Sequence, residues 1–269
     1  MRIAVGLEYD GSQYAGWQSQ PSVPSIQSVA EAAIGRVAAH PVGLVCAGRT
    51  DAGVHAVAQV AHFDTEALRS AHGWIRGANT YLPADVSVVW ARRVPDHFHA
   101  RYSAERRTYC YFILNRSARS GLADRRAALI HRPLDHARMQ EAAVALLGTH
   151  DFSAFRSAEC QAHSPVRRLE GLVVERMGAW VRVRATANAF LHHMVRNMVG
   201  LLLAVGEGRE RPEWAREVLE SRDRSRCAAT APAQGLYLWC VEYPRPFGLP
   251  RTGPDAVSAM IPGPPPTAP

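Results

Sequence analysis

The sequence predicts an α+β fold in which helices cover one face of a largely antiparallel sheet. Three observations carry that prediction. Short apolar, β-branched runs and amphipathic stretches alternate over the first hundred residues in the order strand, helix, strand, strand, helix, strand. The second half supplies a hairpin pattern over 169–185 and then the strongest apolar stripe of the chain. The 269 residues are 47% hydrophobic and 20% charged, enough apolar material for one large or two modest domains with a real core.

The elements follow in order. Ile3 to Tyr9 is a strand, and Asp10-Gly11-Ser12 is a turn signal. Tyr14 to Gln20 mixes aromatic and amide side chains in a loop, where Trp17 reads as a hydrophobic plug or as a base-contacting ring. Ser25 caps a helix to Ala38, with apolar positions at Ile26, Val29, Ala33, Ile34 and Val37. Leu44 to Cys46 and Val57 to Phe63 are strands, Thr65 to Asn79 a helix, and Val86 to Ala91 a strand. This order fits a ferredoxin-like or RRM-like layer.

A strand over 107–113 puts Arg107, Tyr109 and Tyr111 on one face and Cys110 and Phe112 on the other, so one face packs and the other can line a cleft. Residues 115–133 are arginine-rich and read as a solvated loop. A helix over 136–147 ends at Gly148. Leu169 to Glu175 and Trp180 to Ala185 form a hairpin. Ala189 to Val205 is a helix with a broad apolar stripe and Arg196 at its border, and 213–221 is a short helix. A final strand follows Leu236. The sequence divides into 1–104, 105–245 and a proline-rich tail, 246–269, expected to be disordered.

The most informative stretch is AGRTDAGVHA, residues 47–56. Two glycines flank Arg49-Thr50-Asp51 on a tight connection between strands. Read residue by residue, this is a surface turn with a local ion pair or a functional loop. Read whole, the ten residues and the following Gln59 to Phe63 resemble the signature of the TruA family of tRNA pseudouridine synthases. The same family is resembled by YDGSQYAGWQSQ near the amino terminus and by the ARYSA stretch running into Arg107, Tyr109 and Tyr111. It is resembled again by GTHDFSAF at 148–155, FLHHMVRNMVG at 190–200, and AP..GLYL at 231–238. The resemblance spans about residues 1–245, lacks only lysine, and does not reach the tail.

The resemblance implies a pseudouridine synthase fold of two related halves whose sheets join around a central cleft. It implies a homodimeric, cytoplasmic enzyme that isomerises uridine to pseudouridine in the anticodon stem-loop of tRNA, without metal or organic cofactor. Asp51 matches the family's catalytic aspartate, acting as nucleophile or electrostatic stabiliser. Attack on the ribose and formation of a glycal are both open to it. Tyr109 is implied to stack on the target base, Arg49 to fill the space that base vacates or to hold the backbone, Arg196 to pair with the aspartate, and Leu236 to line the site. Gln18, Gln20, Arg107 and His193 are further RNA-contact candidates. The base must leave its helix for this chemistry.

Composition agrees with an acidic polymer as partner. The net charge is +7, the pI about 9.5, and all 31 basic residues are arginine, which forks onto phosphates and stacks on bases. Five scattered cysteines with no CxxC pair give neither a zinc site nor a disulfide framework. No apolar run has the length of a membrane span, so no membrane partner is expected. Two other classes remain to be weighed. A non-catalytic RRM-like RNA-binding protein explains the basic charge and aromatic strands, but not a central carboxylate. A glycoside hydrolase built on Asp51 lacks a second placed carboxylate.

Overall fold

A computed structural model describes residues 1–250. In chain order the elements are β1 (Arg2–Tyr9), α1 (Ile26–Ala38), β2 (Val45–Cys46), β3 (His55–Asp64), α2 (Ala71–Tyr81), β4 (Val86–Val94) and β5 (Arg106–Asn115). They continue with β6 (Ala128–Ile130), α3 (His136–Val144), β7 (Gly148–Asp151), β8 (Val166–Met177), β9 (Trp180–Ala187), α4 (Met194–Gly206), α5 (Trp214–Ser221) and β10 (Leu236–Glu242). The chain is α+β, as the periodicity predicts. It forms two compact units. Among the described residues, one is Met1–Arg106 with 237–250, and the other is Arg107–Leu236.

In the first unit the strand order is β4-β1-β3-β10, with β2 also on β3. The β1–β3, β1–β4 and β2–β3 pairs are antiparallel. β10 runs parallel to β3, pairing Tyr237 with His55 and Leu238 with Ala56. The sequence division kept this last strand with the second half; its pairing with β3 returns it to the first. β3 is buried from His55 through Phe63, because both its faces are covered. Ser25 and Ser28 cap α1 reciprocally, the Ser25 side chain accepting from the Ser28 amide at 3.2 Å and Ser28 Oγ accepting from the Ser25 amide at 3.2 Å.

The second helix begins at Ala71, six residues after the predicted start. The Thr65 hydroxyl accepts from the Ala67 amide at 3.1 Å and meets His40 Nε2 at 2.8 Å. The Thr65 carbonyl takes the amino terminus at 3.0 Å. These contacts hold the chain extended until Ser70 can cap the helix through the Gly73 amide. At the other end, residues 246–250 are ordered, where the sequence reading began a disordered tail. Arg245–Phe247 makes a 3-10 turn, and the Phe247 ring sits 5.0 Å from that of Phe98. The remainder of that tail, residues 251–269, lies outside the described residues.

In the second unit β5, β9, β8 and β7 form an antiparallel series. β6 adds to β5 in parallel, inside the stretch read as an arginine-rich loop. Three residues are too few to carry a periodic signal; Asn115 fixes them by donating to the carbonyls of Ile130 and Arg132 at 3.0 and 2.7 Å. β5 is buried from Arg107 to Leu114, so both faces pack. The long helix starts at Met194, not Ala189. The loop before it is held open by Ser157, whose amide donates to the His192 carbonyl at 3.0 Å, and by the Cys160 sulfur, which accepts from the His192 amide at 3.4 Å. His193 then adopts a left-handed φ of 63°. The His192 and His193 ring centroids are 4.1 Å apart.

Burial of His62 generates a pH prediction. Its Nδ1 accepts from the Ala100 amide at 3.1 Å, and burial, then Arg2 and His99, pull its pKa down to about 4. The folded protein holds the neutral ring while the unfolded chain takes up a proton below about pH 6.5, so stability falls as pH drops from 6.5 toward 4. Thermal melts across that range should show a loss of up to about 3 kcal/mol in wild type. The loss should be reduced in His62→Gln.

Candidate functional site

The signature turn is built by the strands that flank it. Val54 donates its amide to the Asp51 carbonyl at 3.1 Å, closing a four-residue turn with Gly53 at the third position, φ 75°. That conformation favours glycine. Thr50 is buried, and its hydroxyl meets the Tyr9 hydroxyl at 2.8 Å. Gln59, wholly buried on β3, donates to the Gly48 carbonyl at 2.7 Å and to Tyr9 at 3.3 Å. Arg49 is exposed and Asp51 half-buried. The fixed Thr50 between them sets the direction of both.

The amino-terminal loop presses on this turn by backbone. Trp17, 1% exposed, is the plug of its loop, and its amide donates to the Thr50 carbonyl at 2.9 Å. A Cβ on Gly16 (φ 93°) would lie 2.5 Å from the Thr50 carbonyl oxygen and 2.9 Å from the Asp51 carbonyl carbon. One on Gly11 would lie 2.0 Å from the Val54 carbonyl oxygen. Behind them, His55 Nδ1 lies 3.1 Å from the Gly11 amide and 3.2 Å from Asp10 Oδ1, and its ring stacks on Tyr237 at 4.5 Å. The His55 contact, helped by Ser12 and opposed by burial, holds the Asp10 carboxyl well below the usual carboxylate range. Gln18 is half-buried, and Gln20 is exposed and spends its amide on the Ala15 carbonyl at 3.2 Å. Gln20 therefore braces its own loop.

In the second unit three of the sequence motifs converge on α4. Every α4 residue except Arg196 is buried. Arg196 Nε donates to the Ala231 carbonyl at 2.9 Å, and the Ala231 amide donates to the Arg196 carbonyl at 3.1 Å. Gly200 permits that approach, since a Cβ there would lie 2.0 Å from the Ala229 carbonyl oxygen. Asn197 is 1% exposed and joins the rest. Its Nδ2 donates to the Phe155 carbonyl at 2.8 Å, and its Oδ1 accepts from Thr230 at 2.7 Å and Arg224 at 3.1 Å. The helix is thus not a surface amphipath. The 229–231 loop covers the helix at Arg196 and Gly200.

That loop also seats against β5. Tyr111 is wholly buried and donates to the Pro232 carbonyl at 2.7 Å, while a Cβ on Gly235 would lie 2.7 Å from the Tyr111 ring. Burial pushes the Tyr111 phenol up, against a smaller opposing effect of Arg196. Of the two tyrosines on this face, Tyr109 keeps 8% exposure and Tyr111 none. The Tyr109 ring meets Phe190 edge-on at 5.1 Å. Leu236 is buried at the start of β10, and Arg107, also buried, donates to the Asn188 carbonyl at 2.9 Å. His193 is the half-buried residue before α4.

The first unit therefore brings Arg49 and Asp51 onto one braced turn, with Gln18 and Gln20 on the loop that braces it. The second brings Arg196, His193 and the approach to Leu236 together, with Tyr109 on β5. Sequence reasoning missed Gly11, Gly16, Thr50, Asn197 and Gly200 as site-building residues. Each lies inside a motif singled out above, and Asn197 also stands out as an amide inside a nearly continuous apolar helix.

Gly16→Ala should lower stability by roughly 1–3 kcal/mol in urea unfolding, because a backbone it touches must move. Gly43→Ala, where nothing lies within 4 Å of the added methyl, is the control and should stay within about 0.5 kcal/mol.

Comparison with known proteins identifies the family. The family model described as tRNA pseudouridine synthase matches residues 7–103 and 142–244. Asp51, Arg49, Gln18, Gln20, His193, Arg196 and Leu236 fall inside the matched segments, and Arg107 and Tyr109 fall between them. A protein of Methylococcus capsulatus named tRNA pseudouridine synthase A is 54% identical over 262 residues, covering 97% of this chain and 96% of the relative. Proteins of the same name from Nitrosococcus oceani and Legionella pneumophila are 52% and 51% identical, each over at least 93% of this chain and 97% of the relative. On these matches the chain belongs to the tRNA pseudouridine synthase family.

Proposed function

We propose that this enzyme, an isomerase of the tRNA pseudouridine synthase family, converts uridine to pseudouridine in the anticodon stem-loop of tRNA, with Asp51 as nucleophile. The observation that carries the reading is the Asp51 turn. The backbone turn that carries the half-buried Asp51 is fixed by a buried threonine, a buried glutamine and the close approach of two glycines, an investment that a surface ion pair does not require.

The reaction breaks the bond from N1 of uracil to the ribose and joins C5 to the same carbon. The C5 hydrogen leaves as a proton and N1 takes one up, so the product is an isomer of the substrate. A carboxylate suits this chemistry, because it can bond to or stabilise an electron-poor sugar carbon while the base turns over. The target base must first be unstacked. Arg49, exposed beside Asp51, is suited to filling the vacated stack or gripping a phosphate. Tyr109 is assigned to the base, Arg196 to supplying fixed positive charge, and Leu236 to shaping an apolar wall. Gln18, Gln20, Arg107 and His193 are secondary RNA contacts in this reading, with Gln20 and Arg107 already engaged in bracing. The reading includes a homodimer and a cytoplasmic setting, where its tRNA substrate is found. Among the described residues no helix is long and apolar enough to cross a membrane.

The test is tritium release from C5-labelled uridine in a tRNA transcript. Wild type should release tritium from uridines of the anticodon stem-loop, and Asp51→Asn should release none while binding tRNA as before. Release confined to another part of the tRNA would overturn the assigned position. Binding without release by either protein would leave an RNA-binding protein in its place.

A further inference from the structure

The residues that connect β4 to β5 hold a ring column that the assignments above do not use. His62, on β3, is buried, and the His99 ring meets it edge-on at 4.9 Å. The Tyr102 ring stacks on His99 at 4.3 Å and 28°. The Arg101 guanidinium lies over the Tyr102 ring, 5.5 Å from its centroid. The column thus runs from a buried imidazole to a tyrosine that is 75% exposed.

The backbone beneath it is rigid. His99 Nδ1 accepts from the amides of both Arg101 and Tyr102 at 3.2 Å. Ser103 Oγ accepts from the His99 amide at 3.0 Å, and the Ser103 amide returns to the His99 carbonyl at 2.8 Å. Tyr243 donates to the Ala100 carbonyl at 2.6 Å, and His62 takes the Ala100 amide at 3.1 Å. Arg2 clamps the preceding turn through the carbonyls of Asp96 and Phe98, both at 2.7 Å. Burial, then Arg2 and Arg101, lower the His99 pKa, which favours the neutral ring that these two amide bonds require.

A large ring left open on a loop fixed this firmly is not explained by packing, since it buries little of its own area. Its rotamer entropy is already spent before any partner arrives. Burial pushes the Cys46 thiol up, and the charges of Arg49, on the signature turn, and of Arg101 both oppose that rise, so the two arginines stand near the same buried group. An exposed aromatic face beside an arginine, within electrostatic reach of that turn, suits an unpaired nucleobase with its phosphate.

We infer that Tyr102 is a stacking platform for an unpaired base of the RNA substrate, with Arg101 holding the same nucleotide and His99 setting the ring's orientation. The inference rests on the synthase reading for its choice of RNA. Tyr102 is a positioning residue for the substrate outside the reacting base, so it governs binding rather than turnover.

The experiment compares wild type, Tyr102→Ala and Tyr102→Phe in two assays on one tRNA transcript, equilibrium binding and tritium release at saturating tRNA. Tyr102→Ala should bind about five- to 150-fold more weakly, the range expected for one lost base stack. Its KM should rise in proportion, with kcat within about twofold. Tyr102→Phe should bind within about twofold of wild type, since the ring face is kept. An exposed site predicts unchanged melting for all three. Tyr102→Ala with wild-type affinity and KM overturns the inference while leaving the synthase intact. Equal losses in Tyr102→Ala and Tyr102→Phe overturn it in favour of the hydroxyl. A change in sedimentation without a change in RNA affinity overturns it in favour of a protein contact. If wild type releases no tritium from any tRNA, the synthase reading fails, and the two binding constants still decide the stack.

Discussion

The site in the first unit depends on close approach of two stretches of backbone. The loop over residues 10–20 lies against the turn over 50–54 with no side chain between them, because Gly11 and Gly16 have none to interpose. Backbone pressed on backbone is stiff, since neither side can relieve a clash by rotating a side chain. The amide of Trp17 and the carbonyl of Thr50 use that proximity for a hydrogen bond, and Trp17 fills the space behind it. Thr50 and Gln59 then bind the turn to the sheet from the other side. Arg49 and Asp51 are carried on a turn whose position is set before any substrate arrives, which is what the role proposed for Asp51 would require.

The second unit reaches the same end through a polar hub. Asn197 uses its donor and acceptor atoms on three partners, joining α4 to the loops at 155 and 224–230. A buried amide with its groups satisfied specifies one arrangement of those loops, because any other leaves a donor or acceptor unpaired. The reciprocal pair between Arg196 and Ala231 extends the hub to the segment that leads into Leu236. Arg196, alone on its helix in not being buried, is therefore positioned by the same contacts that seat the loop.

These two devices explain why the motifs are contiguous strings and not scattered residues. In AGRTDAGVHA the proposed catalytic carboxylate is one residue of ten, and several of the others make the turn, tie it to the sheet or admit the neighbouring loop. In FLHHMVRNMVG the arginine is accompanied by the amide and the glycine that hold the 229–231 loop against the helix. A substitution at Gly16, Asn197 or Gly200 would act on the chemistry through geometry, although none of these residues carries it.

The sequence by itself determined the secondary-structure order, the family and the identity of the candidate residues, because these follow from local periodicity and from strings that need no partner to be read. It placed Asp51 and Arg49 on a tight turn between strands, where they are. Where long-range contacts compete with local propensity, the sequence was not enough. The helix expected from Thr65 starts at Ala71 because Thr65 is tied to His40 and to the amino terminus. The helix expected from Ala189 starts at Met194 because Ser157 and Cys160 hold the preceding residues in an open loop. The return of β10 to β3, the all-round burial of α4 and the exposure of Tyr102 were likewise decided only by tertiary structure. Each depends on which distant segment lies alongside, and no periodicity within a segment records its neighbours.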